Sequence, residues 1–264
     1  MKTGGPTARV RESLRTHGVV GLALLCLRLP FVPLLKSDLG VWLTRAYHGW
    51  TFDRKFGVHT SGCVRQPEPS VEGSKAELGR PYDGSNPGHF KRIVQNLGIM
   101  YEDYAFVDFG SGKGRVLLLA AAFPFRSVTG VEWSQELHEI AQRNVDTYTG
   151  PRTSNRVESF CMDAREFQIP SGNLVLYFFN PFGDEVMARV IDNVRSSFHQ
   201  SPRDIVLVYM NPRHRELFDR FDFLETTADK GWFVVYRTRP PQRLPQISSD
   251  MATSCPAGAM RVSC

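Results

Sequence analysis

Nine consecutive residues, Val107-Asp108-Phe109-Gly110-Ser111-Gly112-Lys113-Gly114-Arg115, hold glycine at every second position of their loop. Glycine accepts the left-handed backbone, so such a loop turns sharply and brings bare amides close to a bound group. An acid, Asp108, stands two residues before the first glycine, and Glu132 lies 20 residues after Gly112. Glu132 closes the apolar run Ser127-Val128-Thr129-Gly130-Val131. Glycine loop, helix, second strand and terminal acid together describe a βαβ unit that binds a nucleoside.

Dinucleotide-binding loops read Gly-x-Gly-x-x-Gly/Ala, the third small residue allowing close packing of helix on strand. Here the spacing is Gly-x-Gly-x-Gly, and Arg115 stands where that small residue belongs. No lysine follows in the spacing of a phosphate-cradling Gly-x-x-x-x-Gly-Lys-Ser/Thr loop. The segment resembles motif I of the class I S-adenosylmethionine (SAM)-dependent methyltransferases. That resemblance implies that SAM is the cofactor, with its methionine and ribose lying against Gly110, Ser111, Gly112 and Gly114, and with Asp108 as a further contact. It also implies that Glu132 accepts hydrogen bonds from both ribose hydroxyls, a task suited to the lone pairs of an ionised carboxylate. The plain alternative for Glu132 is a solvated acid at a strand end.

Later segments follow the same family pattern. Asp163, after a third apolar run, is the candidate acceptor for the adenine amino group, a helix-cap or turn aspartate being the other reading. Trp133 is a candidate to stack on adenine, or else a packing residue. Asn180-Pro181-Phe182-Gly183 resembles the family's motif IV, although amino-directed members carry two prolines and this chain carries one. Asn180 is thus a candidate for both cofactor contact and catalysis, its side-chain oxygen and the Pro181 carbonyl accepting from a neutral amine; Phe182 is a candidate wall of the pocket. The alternative for Asn180 is a residue that caps the turn. Tyr82 is the second catalytic candidate, because loops just upstream of motif I fold over SAM in related enzymes; a packing tyrosine is the default. His89 reads as a surface helix residue.

Positioning these residues requires a particular succession of elements. Ser85-Asn86-Pro87 makes a helix start with proline in the first turn, and Phe90, Ile93, Val94 and Leu97 form its buried stripe. Strands are predicted over 104–109, 127–132, 156–161, 174–179, 204–209, 221–226 and 232–236, with helices at 115–123, after Glu132, after Gly183 and at 213–218. Alternating strands and helices imply an α/β, doubly wound Rossmann-like sheet. The turn Asp229-Lys230-Gly231 predicts a closing C-terminal hairpin, which the resemblance identifies with the antiparallel seventh strand of the class I methyltransferase fold.

Composition sets off a basic and apolar helical leader (1–50), a linker loop (51–81) and a tail (239–264), rich in Pro, Ser and Ala, that is expected to be disordered; the resemblance implies that 82–238 between them is the methyltransferase domain. Similar leaders precede the core domain in bacterial methyltransferases of unassigned substrate, so the resemblance extends from about Trp50 to Thr238. Leu43, Tyr47 and Trp50 fall at helical spacing and predict core packing. The apolar run at 18–27 is well short of the ~20 residues that span a bilayer. It reads as a helix packed on the catalytic domain, with peripheral membrane contact through 18–35 and a targeting peptide as alternatives. Five scattered cysteines without Cys-x-x-Cys pairs argue against a zinc site and a disulfide framework, so no metal is expected and the cytoplasm is the expected compartment. A net charge of +5, carried largely at the ends, permits a polyanionic partner without indicating one. The expectation is methyl transfer from SAM to nitrogen on a protein side chain or small amine, favoured over RNA. A catalytically silent SAM-fold scaffold and a nicotinamide-dependent oxidoreductase remain as alternatives.

Overall fold

The computed structural model describes residues 38–62, 84–154 and 156–239, with side chains from Tyr47 onward. Among the described residues, two α-helices, α1 (Asp38–Phe56) and α2 (Pro87–Gln95), precede the sheet. Then follow β1 (Tyr104–Phe109), α3 (Arg115–Ala121), β2 (Ser127–Glu132), α4 (Gln135–Thr147) and β3 (Val157–Cys161). The second half comprises β4 (Asn173–Phe179), α5 (Asp184–Gln200), β5 (Ile205–Met210), α6 (Arg215–Asp219), β6 (Leu224–Asp229) and β7 (Phe233–Thr238). The strands lie in the order β3-β2-β1-β4-β5-β7-β6. The first five are mutually parallel, whereas β7 runs antiparallel to both β5 and β6. This is a doubly wound, Rossmann-like sheet, closed by the antiparallel hairpin that the sequence predicts.

Every side chain of β1 and β5 is buried, because helices cover both faces of these central strands. On one face Phe90, Ile93 and Val94 of α2 and Leu117 of α3 pack on Phe106, Val175, Tyr177 and Val208. On the other, Met187, Val190 and Ile191 of α5 meet Val107, Phe109, Leu176 and Phe178. Each such apolar side chain removed from water contributes roughly 1.5–3 kcal/mol, which fixes strand register and hence the level of every strand end. The start of α2 is set by Asn86, whose side-chain oxygen accepts from the Gly88 and His89 amides at 2.9 and 3.1 Å.

Three expectations need correction. Trp50 is not core: it is 52% exposed, with the Arg54 guanidinium 5.3 Å above its ring. Gly49 and Phe52 form the buried side of α1 instead, because Gly49 lets the helix lie directly on Ser61 and Arg115. The Leu43 side chain lies outside the described residues. Second, α1 runs unbroken through residue 50 to Phe56, and Val58 and Thr60 beyond it are buried, so 51–62 is a packed segment and not linker loop. Third, β6 begins at Leu224 rather than near 221, because Phe221 and Phe223 turn into the core beside α5 before pairing starts. Residues 1–37, 63–83 and 240–264 fall outside the described set, and with them most of the leader, the 18–35 stretch, Tyr82 and the tail.

Candidate cofactor and acceptor site

In a doubly wound sheet the crevice lies beyond the carboxyl ends of the strands where their order reverses, here between β1 and β4. Phe109 pairs with Val131 on one side and Phe178 on the other, so the residues after β1, β2 and β4 emerge at one level. Those residues are the glycine loop, Glu132 and Asn180-Pro181. Gly110, Gly112 and Gly114 have φ of 75°, 53° and 81°, the left-handed region where a side chain is strained. A methyl group on Gly110 would stand 2.4 Å from Pro181 Cβ, so the two motifs form a single wall only because position 110 has no side chain.

The loop amides are not bare. Gly110 N and Ser111 N both donate to the Val131 carbonyl, at 2.9 and 3.1 Å, extending the contact between β1 and β2. Gly112 N donates to Glu132 Oε2 at 2.8 Å, and Gly114 N to the Ser111 carbonyl at 2.9 Å. A turn folded back this tightly must satisfy its buried N–H groups internally. What it presents to a ligand is shape and close approach, with these four donors already engaged.

Glu132 is 4% exposed. Its Oε1 accepts from Ser134 N at 2.9 Å and its Oε2 from Gly112 N, so the carboxylate is locked in place with each oxygen keeping further acceptor capacity. Burial pushes its pKa up, while the amides of Ser134, Gly112 and Trp133 oppose that shift. Asp108 is more deeply buried, on the sheet face shared with Phe106 and Tyr177. Desolvation, and then the charge of Glu132, raise its carboxyl well above the usual range. The Tyr177 hydroxyl lies 3.3 Å from Ser85 Oγ, which brings the entry to α2 down onto this side of the crevice.

Cys161 pairs with Glu132, and Met162 N donates to the Glu132 carbonyl at 2.9 Å, so Asp163 reaches the same rim. There it caps the short turn Ala164–Glu166 through Arg165 N at 2.9 Å and forms an ion pair with the Arg165 guanidinium at 2.7 Å. The cap reading of Asp163 thus describes its contacts within the protein, and Arg165 is a neighbour the sequence pattern did not flag. Trp133, directly after Glu132, is half-buried at that rim.

Asn180 adopts φ 42° and is buried, with its Oδ1 receiving the Tyr209 hydroxyl at 3.4 Å. The same hydroxyl accepts from His214 N at 3.2 Å, so β5 and the segment before α6 hold the asparagine. Tyr209 reads in sequence as one more apolar strand residue and gives no signal of this contact. Phe182, considered as a pocket wall, is instead buried in the core beside Val186 and Met187. Further along the same edge, Phe233 pairs with Met210, which pairs with Phe179, placing Trp232 two strand spacings (about 10 Å) from Asn180. Trp232 is 39% exposed, its ring 4.7 Å from that of His89 and 5.8 Å from the Arg92 guanidinium. Among the described residues no cluster of His, Cys, Asp or Glu could hold a metal ion, and no helix is long and apolar enough to cross a membrane.

The donor set fits the hydroxyls of a ribose better than a phosphate group. A pyrophosphate needs free N–H donors at the loop, whereas ribose hydroxyls need the acceptor that Glu132 provides. Residues 80–176 match the family model described as histone methylation protein DOT1. No curated protein matches the chain significantly. Among solved structures, the chain is similar to an RNA methyltransferase from Salinibacter ruber in complex with S-adenosyl-L-homocysteine. The identity is 20%, over 60% of this chain and 94% of that one, with a TM-score of 0.39. A putative SAM-dependent methyltransferase from Methanococcus maripaludis is 15% identical over 60% of this chain and 86% of its own, with a TM-score of 0.41. TrmN from Thermus thermophilus is 15% identical over 59% and 49% respectively, with a TM-score of 0.42.

Proposed function

We propose that this chain, a class I SAM-dependent methyltransferase with S-adenosylmethionine as its cofactor, directs the methyl group to nitrogen on a protein side chain or a small amine. The observation that carries the reading is the contact of Gly110 with Pro181, which sets the Asn-Pro turn against the cofactor loop. When bound, SAM supplies a methyl carbon attached to a positively charged sulfur. Glu132 would hold the ribose, and the loop would lie along the methionine side. Asn180 Oδ1 and the Pro181 carbonyl would accept from the N–H groups of a neutral amine and aim its lone pair. Holding a nucleophile within about 3–3.5 Å of the carbon, in line with the breaking bond, is most of what such a reaction asks of a protein. A lysine-like amine, with an ordinary pKa of about 10.4, must first shed its proton, which a dry pocket assists.

The test is incubation with methyl-labelled SAM and fractionated cell extract. Label in protein or in small amines supports the proposal, and label confined to RNA overturns it. Asn180→Ala should lower kcat about 10- to 100-fold, roughly 1.4–2.8 kcal/mol of barrier, with binding of S-adenosylhomocysteine largely kept. A nucleobase nitrogen is the second reading, and one observation favours it. Trp232, His89 and Arg92 form an aromatic and cationic cluster on the acceptor side, the kind of surface on which an unpaired base stacks.

A further inference from the structure

We infer that residues 49–62 act as a brace that sets the cofactor loop from behind, with Asp53 and Arg115 as positioning residues for SAM binding. The inference rests on the reading of that loop as the cofactor site. Asp53 lies in the last turn of α1, and four donors converge on its carboxylate. Thr60 N and Thr60 Oγ1 donate to Oδ1 at 2.9 and 2.6 Å, Ser61 N donates to Oδ2 at 2.7 Å, and Ser61 Oγ also donates to Oδ2. The chain can double back this tightly because Gly57 takes φ 68°, while Val58 anchors the bend against Phe52, Leu118 and Tyr148.

From this bend three links run to the loop. Lys113 Nζ donates to the Ser61 carbonyl at 2.7 Å. Arg115 Nε donates to Thr60 Oγ1 at 2.7 Å, its Nη2 stands 4.0 Å from Asp53 Oδ1, and its guanidinium lies 5.7 Å over the Phe52 ring. Asn144 of α4 accepts from His59 N at 2.7 Å and donates to the Lys113 carbonyl at 2.8 Å, joining brace and loop through one amide. The two residues flanking Gly114 are therefore both held from outside the crevice. Gly112, one residue earlier, is the donor that locks Glu132. Arg115 is 4% exposed, and Asp53 is its ion-pair partner. A buried guanidinium that loses its carboxylate becomes an uncompensated charge, so neutralising Asp53 is expected to shift the start of α3.

A purely structural role would lower stability without singling out the loop. The discriminating experiment uses the full chain with Asp53→Asn and, in case that variant does not fold, Thr60→Val, which removes the acceptor of Arg115 Nε at nearly constant volume. Two readouts are taken: amide hydrogen exchange by NMR without ligand, and calorimetric affinity for S-adenosylhomocysteine. The brace predicts faster exchange at Gly112 and Gly114, with amides of β1, β4 and β5 unchanged, and at least tenfold weaker affinity. Wild-type exchange at those two glycines, or affinity within twofold of wild type, in a folded variant overturns the brace. Wild-type protein that does not bind S-adenosylhomocysteine would instead overturn the cofactor site, and the exchange data would still decide the brace.

Discussion

Glu132 shapes the crevice as well as being the proposed ribose acceptor, since Gly112 N and Ser134 N both lean on its carboxylate. Hydrogen bonds to a charged acceptor contribute about 1.5–3 kcal/mol each. Glu132→Ala should therefore weaken S-adenosylhomocysteine binding by about 10- to 100-fold in calorimetry, and unchanged affinity would refute the ribose assignment. Asp108 makes a different prediction, about pH. Its folded pKa is raised by burial and by Glu132, so the stability linked to its protonated form is full below the unfolded carboxylate range and is lost as pH rises through the folded value. In thermal melts of the ligand-free protein, Asp108→Asn should flatten the decline in Tm toward alkaline pH and leave acid pH little changed. The glycines and Glu132 were legible in the sequence because their spacing along one βαβ unit is their signature. The engagement of the loop amides was not, because the Val131 carbonyl that receives two of them becomes an acceptor only once β2 lies beside β1. Asp53 with Arg115, and Asn180 with Tyr209, stayed hidden for a similar reason: the partners lie far apart in the chain and have no joint pattern.

At the level of elements, the parallel strands announce themselves as unbroken apolar runs because both faces are covered, and Asn86-Pro87 announces α2 through its cap. Edges are harder to read. The β6 strand carries exposed Glu225, Thr226 and Thr227, so pairing with β7, and not apolar content, sets its limits. Trp50 misled for a related reason, since an aromatic at helical spacing marks the core only if that side of the helix is the one that docks. One close element junction is that of β1 with the turn after β4. Alanine at Gly110 would combine a left-handed backbone, costing about 1–2 kcal/mol, with a collision against Pro181. Gly110→Ala should lower Tm by several degrees and remove measurable S-adenosylhomocysteine binding, with circular dichroism preserved. Wild-type affinity in that variant would mean that the loop and the Asn-Pro turn do not share a wall in solution.

For the molecule as a whole, the antiparallel hairpin completes the sheet as well as closing it. Val234 and Tyr236 of β7 belong to the same buried cluster as Phe109 and Phe178 beneath the crevice. A chain ending at Asp222 would leave β5 as a bare edge with Tyr209, the partner of Asn180, beside it. Such a truncation should show no cooperative thermal transition, and a cooperative melt would show that the parallel strands suffice alone.

Inward-facing amides also decide which metabolites compete. Nicotinamide dinucleotides and ATP recruit loop donors through their phosphates, and here the amides of Gly110, Ser111, Gly112 and Gly114 already have partners within the protein, so such nucleotides should compete poorly for this loop. The spent cofactor, by contrast, keeps the adenosine whole and differs from its parent by one methyl group. Under the proposed function the two forms should therefore compete for one crevice, each held at the ribose by Glu132.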